Sequence, residues 1–209
     1  MPLLPLLSRA HFFRFQVVNT QVISGLFSTL DGKSISVDWG DGSARSVYTG
    51  TDQAWSKDYG SAGNRTVRIY GAQNLTKFTM DQAGANVQFD LADLPTGMKT
   101  FNCTGSNTVS GDLADLPAGL TIFYCTGSNT INAYTGKTWT TKPATFVLMG
   151  FSSLDQTEVD NLLVDLDEDF VWAAGDAITI TGNCAAPGAA GLAAIASIEA
   201  EGATVTVNE

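Results

Sequence analysis

The sequence predicts a mainly β protein in two parts, a small β-sandwich over residues 1–71 and a β-solenoid over residues 72–209 that ends in two helices. Two observations support this fold class. The 209 residues include 21 glycines but only 6 prolines, a composition typical of chains with many tight turns. In the second part a sequence unit recurs with a period of 22 residues, which is typical of stacked repeats.

The charged residues are distributed unevenly along the chain. The formal net charge is −10, of which residues 1–71 contribute about +2 and residues 72–209 about −12. An acidic surface repels the phosphate backbone of nucleic acids. We therefore expect no nucleic-acid partner for the second part. A hydrophobic content of 44% is sufficient for a folded core.

The chain begins with an apolar heptapeptide that lacks the basic region and the cleavage site of an export signal. It is interrupted by Pro5 and is far shorter than the roughly 20 apolar residues that span a membrane. We therefore expect a soluble chain without membrane insertion, in which no export signal is visible. Such a segment is a candidate anchor on a neighbouring protein, or it covers the protein's own core. The candidate anchor residues are Met1, Leu3, Leu4, Leu6 and Leu7.

Three segments of the first part alternate apolar and polar residues as strands do, at residues 11–18, 34–39 and 66–70. Segments that bear glycine and aspartate separate them. Asp41-Gly42 is a strong signal for a tight turn, because both residue types tolerate positive φ. The first part is therefore expected to be a set of short strands joined by turns.

The segment Val37-Asp38-Trp39-Gly40-Asp41-Gly42 is followed by aromatic residues and a second glycine-bearing turn. This order resembles the polycystic-kidney-disease (PKD) type of immunoglobulin-like sandwich over about residues 12–71. The resemblance implies a buried tryptophan, turn-building aspartates and a role as a spacer or protein-binding module. Calcium binding is the alternative for the two aspartates, although two carboxylates alone make a poor calcium site. The segment is short for such a sandwich, so a strand is missing or is supplied by the second part.

The repeat is clearest in residues 90–108 and 112–130, which are identical at fourteen of nineteen positions. Outside these copies the match weakens but keeps its apolar spacing. The equivalent apolar residues are Leu75, Phe78 and Met80, then Met98, Phe101 and Cys103, then Leu120, Phe123 and Cys125, and finally Phe146, Met149 and Phe151. Further strands are expected at residues 177–183 and 203–207.

A 22-residue period with the pattern Leu-Pro-x-Gly-Leu-x-x-Phe-x-Cys-x-Gly-x-Asn resembles the leucine-rich repeat, particularly its short bacterial variety. One repeat is too small to bury its own apolar face, so stacked copies share a core. We expect inward ladders of Phe101 on Phe123 and of Cys103 on Cys125. Asn107 and its counterpart 22 residues later are expected at corners, where their amides satisfy turn backbone groups.

Two helices are expected toward the C-terminus. Residues 153–158 carry N-capping chemistry, and the apolar residues that follow at helical spacing are Val159, Leu162, Leu163 and Leu166. Residues 188–201 form the second helix, with Leu192, Ile195 and Ile198 expected on its apolar face. This end resembles the closing unit of leucine-rich-type proteins of bacteria and their phages, and we interpret it as the cap of the last repeat.

The sequence holds little of the chemistry that enzymes need. The one histidine, His11, lies in an aromatic context and is expected to be structural. The three cysteines lack the spacing of zinc sites and redox motifs, so we expect buried thiols. No glycine-rich phosphate-binding loop is present. We therefore expect a protein that is not an enzyme, with no catalytic residue, no cofactor and no metal ion.

Paired carboxylates are the alternative to this expectation. Stacked repeats would place Asp90 near Asp112 and Asp93 near Asp115 at roughly 5 Å, a spacing that retaining glycosidases also use. Duplicated acids follow from a duplicated sequence, so we favour exposed ladders over catalysis. The acidic run at residues 165–169 lacks the glycine and the glutamate of an EF-hand loop. We expect a solvated helix end there, with a cation site as the alternative.

The repeated Thr-Gly-Ser-Asn-Thr corners create a small array of hydroxyl and amide groups. Such an array satisfies turn backbone groups, or it binds a glycan or a peptide. Tyr134 and Trp139 would strengthen the binding interpretation if they faced outward. The candidate ligand-surface residues are Thr104, Ser106, Asn107, Thr126, Ser128, Asn129 and Tyr124.

These observations lead to two functional hypotheses. The first is a non-enzymatic virion component, a capsid-decoration or tail-associated protein, that binds other virion proteins through its N-terminal part and displays the acidic repeats on the virion surface. The second is a bacterial cell-surface adhesin or carbohydrate-binding module whose export signal lies outside this chain. Its ligand would be a host-surface glycan. In both hypotheses the chain belongs to a larger assembly.

Overall fold

A computed structural model describes residues 12–82 and 86–209 of the chain. Within this range the protein is mainly β, as predicted. The candidate anchor at residues 1–7 and the residue His11 lie outside the described residues. No helix in the described part of the chain is long and apolar enough to cross a membrane.

The described residues form one mixed sheet of 13 strands, two α-helices and short 3₁₀ helices. The strands are β1 (Phe12–Thr29), β2 (Ser34–Asp38), β3 (Ser46–Thr49), β4 (Gln53–Tyr70), β5 (Leu75–Gln82), β6 (Val87–Asp90), β7 (Thr100–Gly105), β8 (Thr108–Asp112), β9 (Ile122–Cys125), β10 (Thr130–Ala133), β11 (Thr145–Leu148), β12 (Ala177–Ile180) and β13 (Thr204–Val207). The helices are α1 (Gln156–Asp169) and α2 (Ala189–Ala200), and the 3₁₀ helices are Ala72–Asn74, Leu91–Asp93 and Leu113–Asp115.

The first part is antiparallel and is built around two long strands. β1 pairs with β4 from Phe12↔Tyr70 to Phe27↔Gln53, and β2 pairs with both β3 and β4. The predicted segments overlap β1, β2 and β4, but β1 and β4 each extend over 18 residues. The predicted strands were too short because Gly25 lies inside β1, where a Cβ atom would stand 2.7 Å from the Trp55 ring.

Strands of the second part extend the sheet of the first. β1 pairs antiparallel with β5 at Phe27↔Phe78 and with β6 at Val17↔Val87. The second part therefore supplies strands to the short first part, one of the two outcomes expected from the sequence. The sheet and the hydrophobic core both continue across residues 71–72. The division into two domains at that point stays a prediction.

The second part contains a row of parallel strands in the order β5, β7, β9, β11, β12 and β13. The predicted phenylalanine ladder is confirmed, with ring centroids 6.0 Å apart for Phe78–Phe101, 6.1 Å for Phe101–Phe123 and 5.0 Å for Phe123–Phe146. Cys103 and Cys125 are register partners and are buried, as predicted.

Each clear repeat contributes a second strand after its corner. These strands, β6, β8 and β10, form another parallel row. Asp90 and Asp112 are the N-cap residues of the 3₁₀ helices that follow β6 and β8. Their carboxylates accept hydrogen bonds from the N–H groups of Ala92 and Ala114. These two acids therefore cap short helices inside the repeat.

The apolar spacing of the fourth repeat differs from the prediction. Phe146, not Met149, is the register partner of Phe123, and Leu148, not Phe151, is that of Cys125. Phe146 and Leu148 are both fully buried. Met149 and Phe151 are 38% and 62% exposed. The predicted register was wrong by three residues, because Phe146 occupies the position of Phe123 and not that of Leu120. Side chains two residues apart share a strand face, so Leu148 is the second core residue of β11.

The two helices are present, and the predicted apolar face of α2 is wrong only at Leu192, since Ile198 is buried and Ile195 packs against the core. α1 begins with a capping box formed by Asp155 and Glu158, and its four predicted apolar residues are buried. In α2 the predicted Leu192 is 56% exposed, and Gly191, Ala194 and Ile198 are the buried residues. Small residues lie on the buried face of α2 because this helix approaches α1 closely. A Cβ atom on Gly191 would stand 2.4 Å from a carboxylate oxygen of Asp160 in α1.

Candidate binding face on the parallel strands

The outer face of the parallel row carries no charged side chain from β7 to β13. In each of these strands core-facing residues alternate with outward residues, as the period of two requires. We call these outward residues the outer face. They are Thr100, Asn102, Thr104, Ile122, Tyr124, Thr145, Val147, Ala177, Thr179, Thr204 and Thr206. Threonine is the commonest of them, although this part of the chain carries most of the acidic residues.

The centre of the outer face combines an aromatic ring with amide, hydroxyl and apolar groups. Tyr124 on β9 is half-buried, and its register partners are Asn102 on β7 and Val147 on β11. Ile122, on the same strand, is 37% exposed. A ligand on this face would meet hydrogen-bonding groups beside apolar surface, without a charge to pair with.

Two polar atoms at the β5 side of the outer face have no hydrogen-bond partner within the described residues. They are Oγ1 of Thr79 and Oδ1 of Asn102, on side chains that are register partners in β5 and β7. Buried polar atoms are normally satisfied by protein or by ordered water. Because both atoms are buried, neither is open to a ligand in this structure.

The predicted ligand residues separate into two groups. Thr104 and Tyr124 lie on the outer face, Thr126 directly follows β9, and Ser106 and Ser128 lie in the corners. By contrast, Asn107 and Asn129 are only 1% and 0% exposed. The two asparagines are therefore not available to a ligand in this structure.

The buried asparagines satisfy backbone groups, as the corner prediction requires. Asn107 donates from Nδ2 to the carbonyl of Thr104 at 2.6 Å and accepts the N–H of Val87 at 3.2 Å. Asn129 donates to the carbonyl of Met149 at 2.7 Å and accepts the N–H of Ser152 at 3.2 Å. Each amide thus joins neighbouring segments of the repeat stack.

Tyr134 and Trp139 face inward, so they do not extend the binding face. They are 2% and 3% exposed. The Tyr134 hydroxyl donates to the Asp165 carboxylate at 2.6 Å, and the backbone N–H of Trp139 donates to the Asp169 carboxylate at 2.7 Å. Burial and the neighbouring Asp165 carboxylate raise the pKa of Tyr134 above its ordinary value.

Asp165 and Asp169 belong to the acidic run that was a candidate cation site. Both carboxylates fix the loop that carries Tyr134 and Trp139. Within residues 12–82 and 86–209, no group of three or more His, Cys, Asp or Glu side chains is arranged to hold a metal ion. The observed contacts of these two acids are structural.

The paired repeat acids take different partners. Asp112 accepts a hydrogen bond from the N–H of Ala114, which is its capping contact, and another from the N–H of Thr135. Asp93 forms an ion pair with Arg14 of β1 at 2.9 Å, whereas its counterpart Asp115 is exposed. Two adjoining surface recesses of about 240 and 320 Å³ meet at Asp93. These recesses were not predictable from the sequence, because Arg14 lies in the other part of the chain.

The aspartates of the PKD-like segment build its turn. Asp38 accepts the N–H of Gly40, and Asp41 accepts the N–H of Ser43, both at 3.0 Å. Lys57 lies 2.6 Å from the Asp41 carboxylate, and its hydrogen bond holds the pKa of Asp41 well below the usual range. Trp39 is 2% exposed, as the resemblance implied.

The buried thiols are poor nucleophiles. Burial raises the pKa of the Cys125 thiol to about 12 and raises that of Cys103 well above its ordinary value. Cys184 is also buried, and its pKa is raised mainly by desolvation. Because the thiolate is the reactive form, these thiols act as packing groups of the core.

The chain matches no protein-family model, no curated protein and no solved structure. The functional argument therefore depends on the geometry and chemistry of the described residues.

Proposed function

We propose that this chain is a non-enzymatic binding protein of a virion surface. In this proposal residues 1–71 form a PKD-like sandwich that attaches to other virion proteins, and residues 72–209 form a leucine-rich-type solenoid that is displayed. The observation that carries the proposal is the uncharged outer face in the acidic part of the chain. A neutral, partly apolar surface is suited to contact with a partner, whereas the surrounding acids maintain solubility.

Attachment through the first part is supported by the distribution of charge. The first part is close to neutral, whereas the second carries nearly all of the negative charge. Residues 1–7 add five large apolar side chains to the same end of the chain. This end is therefore the better surface for a permanent contact, since obligate interfaces are richer in apolar groups.

The attachment is tested by replacing Leu3, Leu4, Leu6 and Leu7 together with serine, which keeps the length of the chain. We expect the variant to unfold at the same urea concentration as the unmodified protein but to be missing from purified particles. Particles that incorporate both proteins equally would contradict attachment through this segment.

A second candidate function is a glycan-binding module of a bacterial surface. The observation that favours it is Tyr124, an aromatic ring set between Asn102 and Val147 on an outer face that is rich in threonine. Aromatic rings with neighbouring hydrogen-bond groups are well suited to bind sugars. The test is a glycan array with the unmodified protein, with Tyr124→Ala and with Phe151→Ala as a control at an exposed aromatic outside the outer face. Binding that is saturable and is lost only in Tyr124→Ala would support this function, and an unmodified protein that binds no glycan would contradict it.

A further inference from the structure

The strand β13 (Thr204–Val207) ends the parallel row with one side unpaired. It pairs with β12, and no strand within the described residues pairs with its other side. The Thr204 N–H donates to the carbonyl of Asp176 at 3.1 Å, so the backbone of Thr204 faces the β12 side. Because backbone direction alternates along a strand, the N–H and C=O groups of Val205 and Val207 face the open side.

The core is also incomplete at this strand. Ile178 and Ile180 of β12 are fully buried. Their register partners Val205 and Val207 pack against the core but are only half-buried. A further strand beside β13 would therefore cover two core-facing valines and pair their backbone groups in one step.

β13 lacks the features that protect exposed strand edges. Its sequence Thr-Val-Thr-Val contains no charge, no proline and no glycine, all of which discourage pairing. The strand β10 ends the other parallel row and differs in this respect. Its Ile131 carbonyl accepts the N–H of Ser153 at 2.9 Å, so the chain leading into α1 covers that edge.

We propose that two copies of the chain pair through β13, antiparallel, around a two-fold axis at Thr206. The strand is self-complementary in this register. Val205 of each copy faces Val207 of the other, on the core side, and these are the residues with free backbone groups. Centring the axis on either valine would pair fewer valines with each other. The nearest charged residues, Glu201 and Glu209, lie outside the paired segment.

This dimer does not depend on the proposed function, because it concerns self-association of the isolated chain. It predicts that Thr206 of one copy faces Thr206 of the other as a non-hydrogen-bonded pair. Such pairs have Cα atoms about 4.5 Å apart, which is within the range that a disulfide bridges. The three native cysteines are buried and do not compete.

The test is Thr206→Cys under mild oxidation, analysed on non-reducing gels, with Thr204→Cys as the matched control. Both residues are exposed threonines on the same face of β13. Thr204 lies roughly 13 Å from its counterpart in the proposed dimer, too far for a disulfide. We expect Thr206→Cys to form a covalent dimer at least about ten times faster than Thr204→Cys, the distance difference being decisive. Equal rates, or faster crosslinking of Thr204→Cys, would overturn the proposal.

Sedimentation of the unmodified protein and of Val205→Pro provides the second measurement. Proline removes the N–H that faces the open side and leaves the bonds to β12 in place. We expect the dissociation constant of the dimer to rise at least about tenfold, since two symmetry-related hydrogen bonds are lost. A wild-type chain that remains monomeric at millimolar concentration would overturn the proposal.

Discussion

A Cβ atom added to Gly127 would lie 1.9 Å from the carbonyl oxygen of Gly105, one repeat earlier in the chain. The same contact recurs at 2.0 Å between Gly150 and Gly127 and at 2.2 Å between Gly182 and Gly150. All four glycines follow a parallel strand and have φ between 84° and 107°. The corners of successive repeats therefore stack backbone on backbone, and only glycine fits.

Gly127→Ala should destabilise the protein far more than Gly175→Ala. Both glycines have similar positive φ, 107° and 98°, so alanine suffers the same backbone strain of about 1–2 kcal/mol at either position. A Cβ atom at Gly175 meets nothing within 4 Å, whereas at Gly127 it meets a backbone oxygen. Urea unfolding should show an additional loss of about 2 kcal/mol or more for Gly127→Ala. Equal losses of unfolding free energy for the two variants would show that the stacked backbones of Gly105 and Gly127 can move apart.

Asn129→Ala should cost about 3 kcal/mol, because a buried amide with three backbone partners is removed. Ser128→Ala is the neighbouring control, at a half-buried corner position, and should change stability by less than about 1 kcal/mol. Chemical denaturation compares the two. A loss for Asn129→Ala no larger than that of the control would contradict the structural role of the amide.

Asp41 should make the stability of the first part depend on pH in the acidic range. The folded-state pKa of Asp41 is lowered, so the carboxylate stabilises the fold above its unfolded pKa of about 3.9. That stability is lost as the pH falls from this value toward the folded pKa. Asp41→Asn should therefore reduce the loss of melting temperature between about pH 5 and pH 2.

Lys57→Met should have a similar effect on the pH profile, because it removes the main partner that lowers the pKa of Asp41. Thermal unfolding followed by circular dichroism at a series of pH values measures both variants. Profiles parallel to that of the unmodified protein would contradict the role of this ion pair.

Truncating a side chain on the buried face of α2 should destabilise the protein more than truncating one on its exposed face. Ile198→Ala should cost about 2–4 kcal/mol, since this side chain is fully buried. Leu192→Ala should cost less than about 1 kcal/mol, because the leucine is mostly exposed. Denaturant midpoints provide the comparison. A large loss of stability for Leu192→Ala would contradict the exposed position of Leu192 and would support the helix face that the sequence predicted.

Local periodicity was sufficient to predict the parts of the fold that repeat. The ladder from Phe78 to Phe146 follows from a constant spacing, because each strand must place the same residue in the shared core. α1 was predictable because its capping box and apolar residues are close together in sequence. Fold details that depend on contacts between distant segments were not predictable. The sequence could not show that Gly191 lets α2 approach Asp160, which turns Leu192 outward.

The candidate binding face was predicted in part. Thr104 and Tyr124 were found through the repeated corner motif, which marks conspicuous hydroxyl and amide groups. The rest of the outer face was missed, although alternation within each strand was a usable signal. Asn107 and Asn129 were candidates both for ligand binding and for hydrogen bonding to turn backbone groups. Only the structure shows that they bind the turn backbone and are buried.

Display of the chain on a virion surface, as proposed above, is tested most directly by immunogold electron microscopy. The material comes from the native source, and the antibody is raised against residues 72–209. We expect label on the outside of particles, and none on particles treated with pre-absorbed antibody. Label confined to cell envelopes, or protein found only in the particle-free fraction, would contradict the claim.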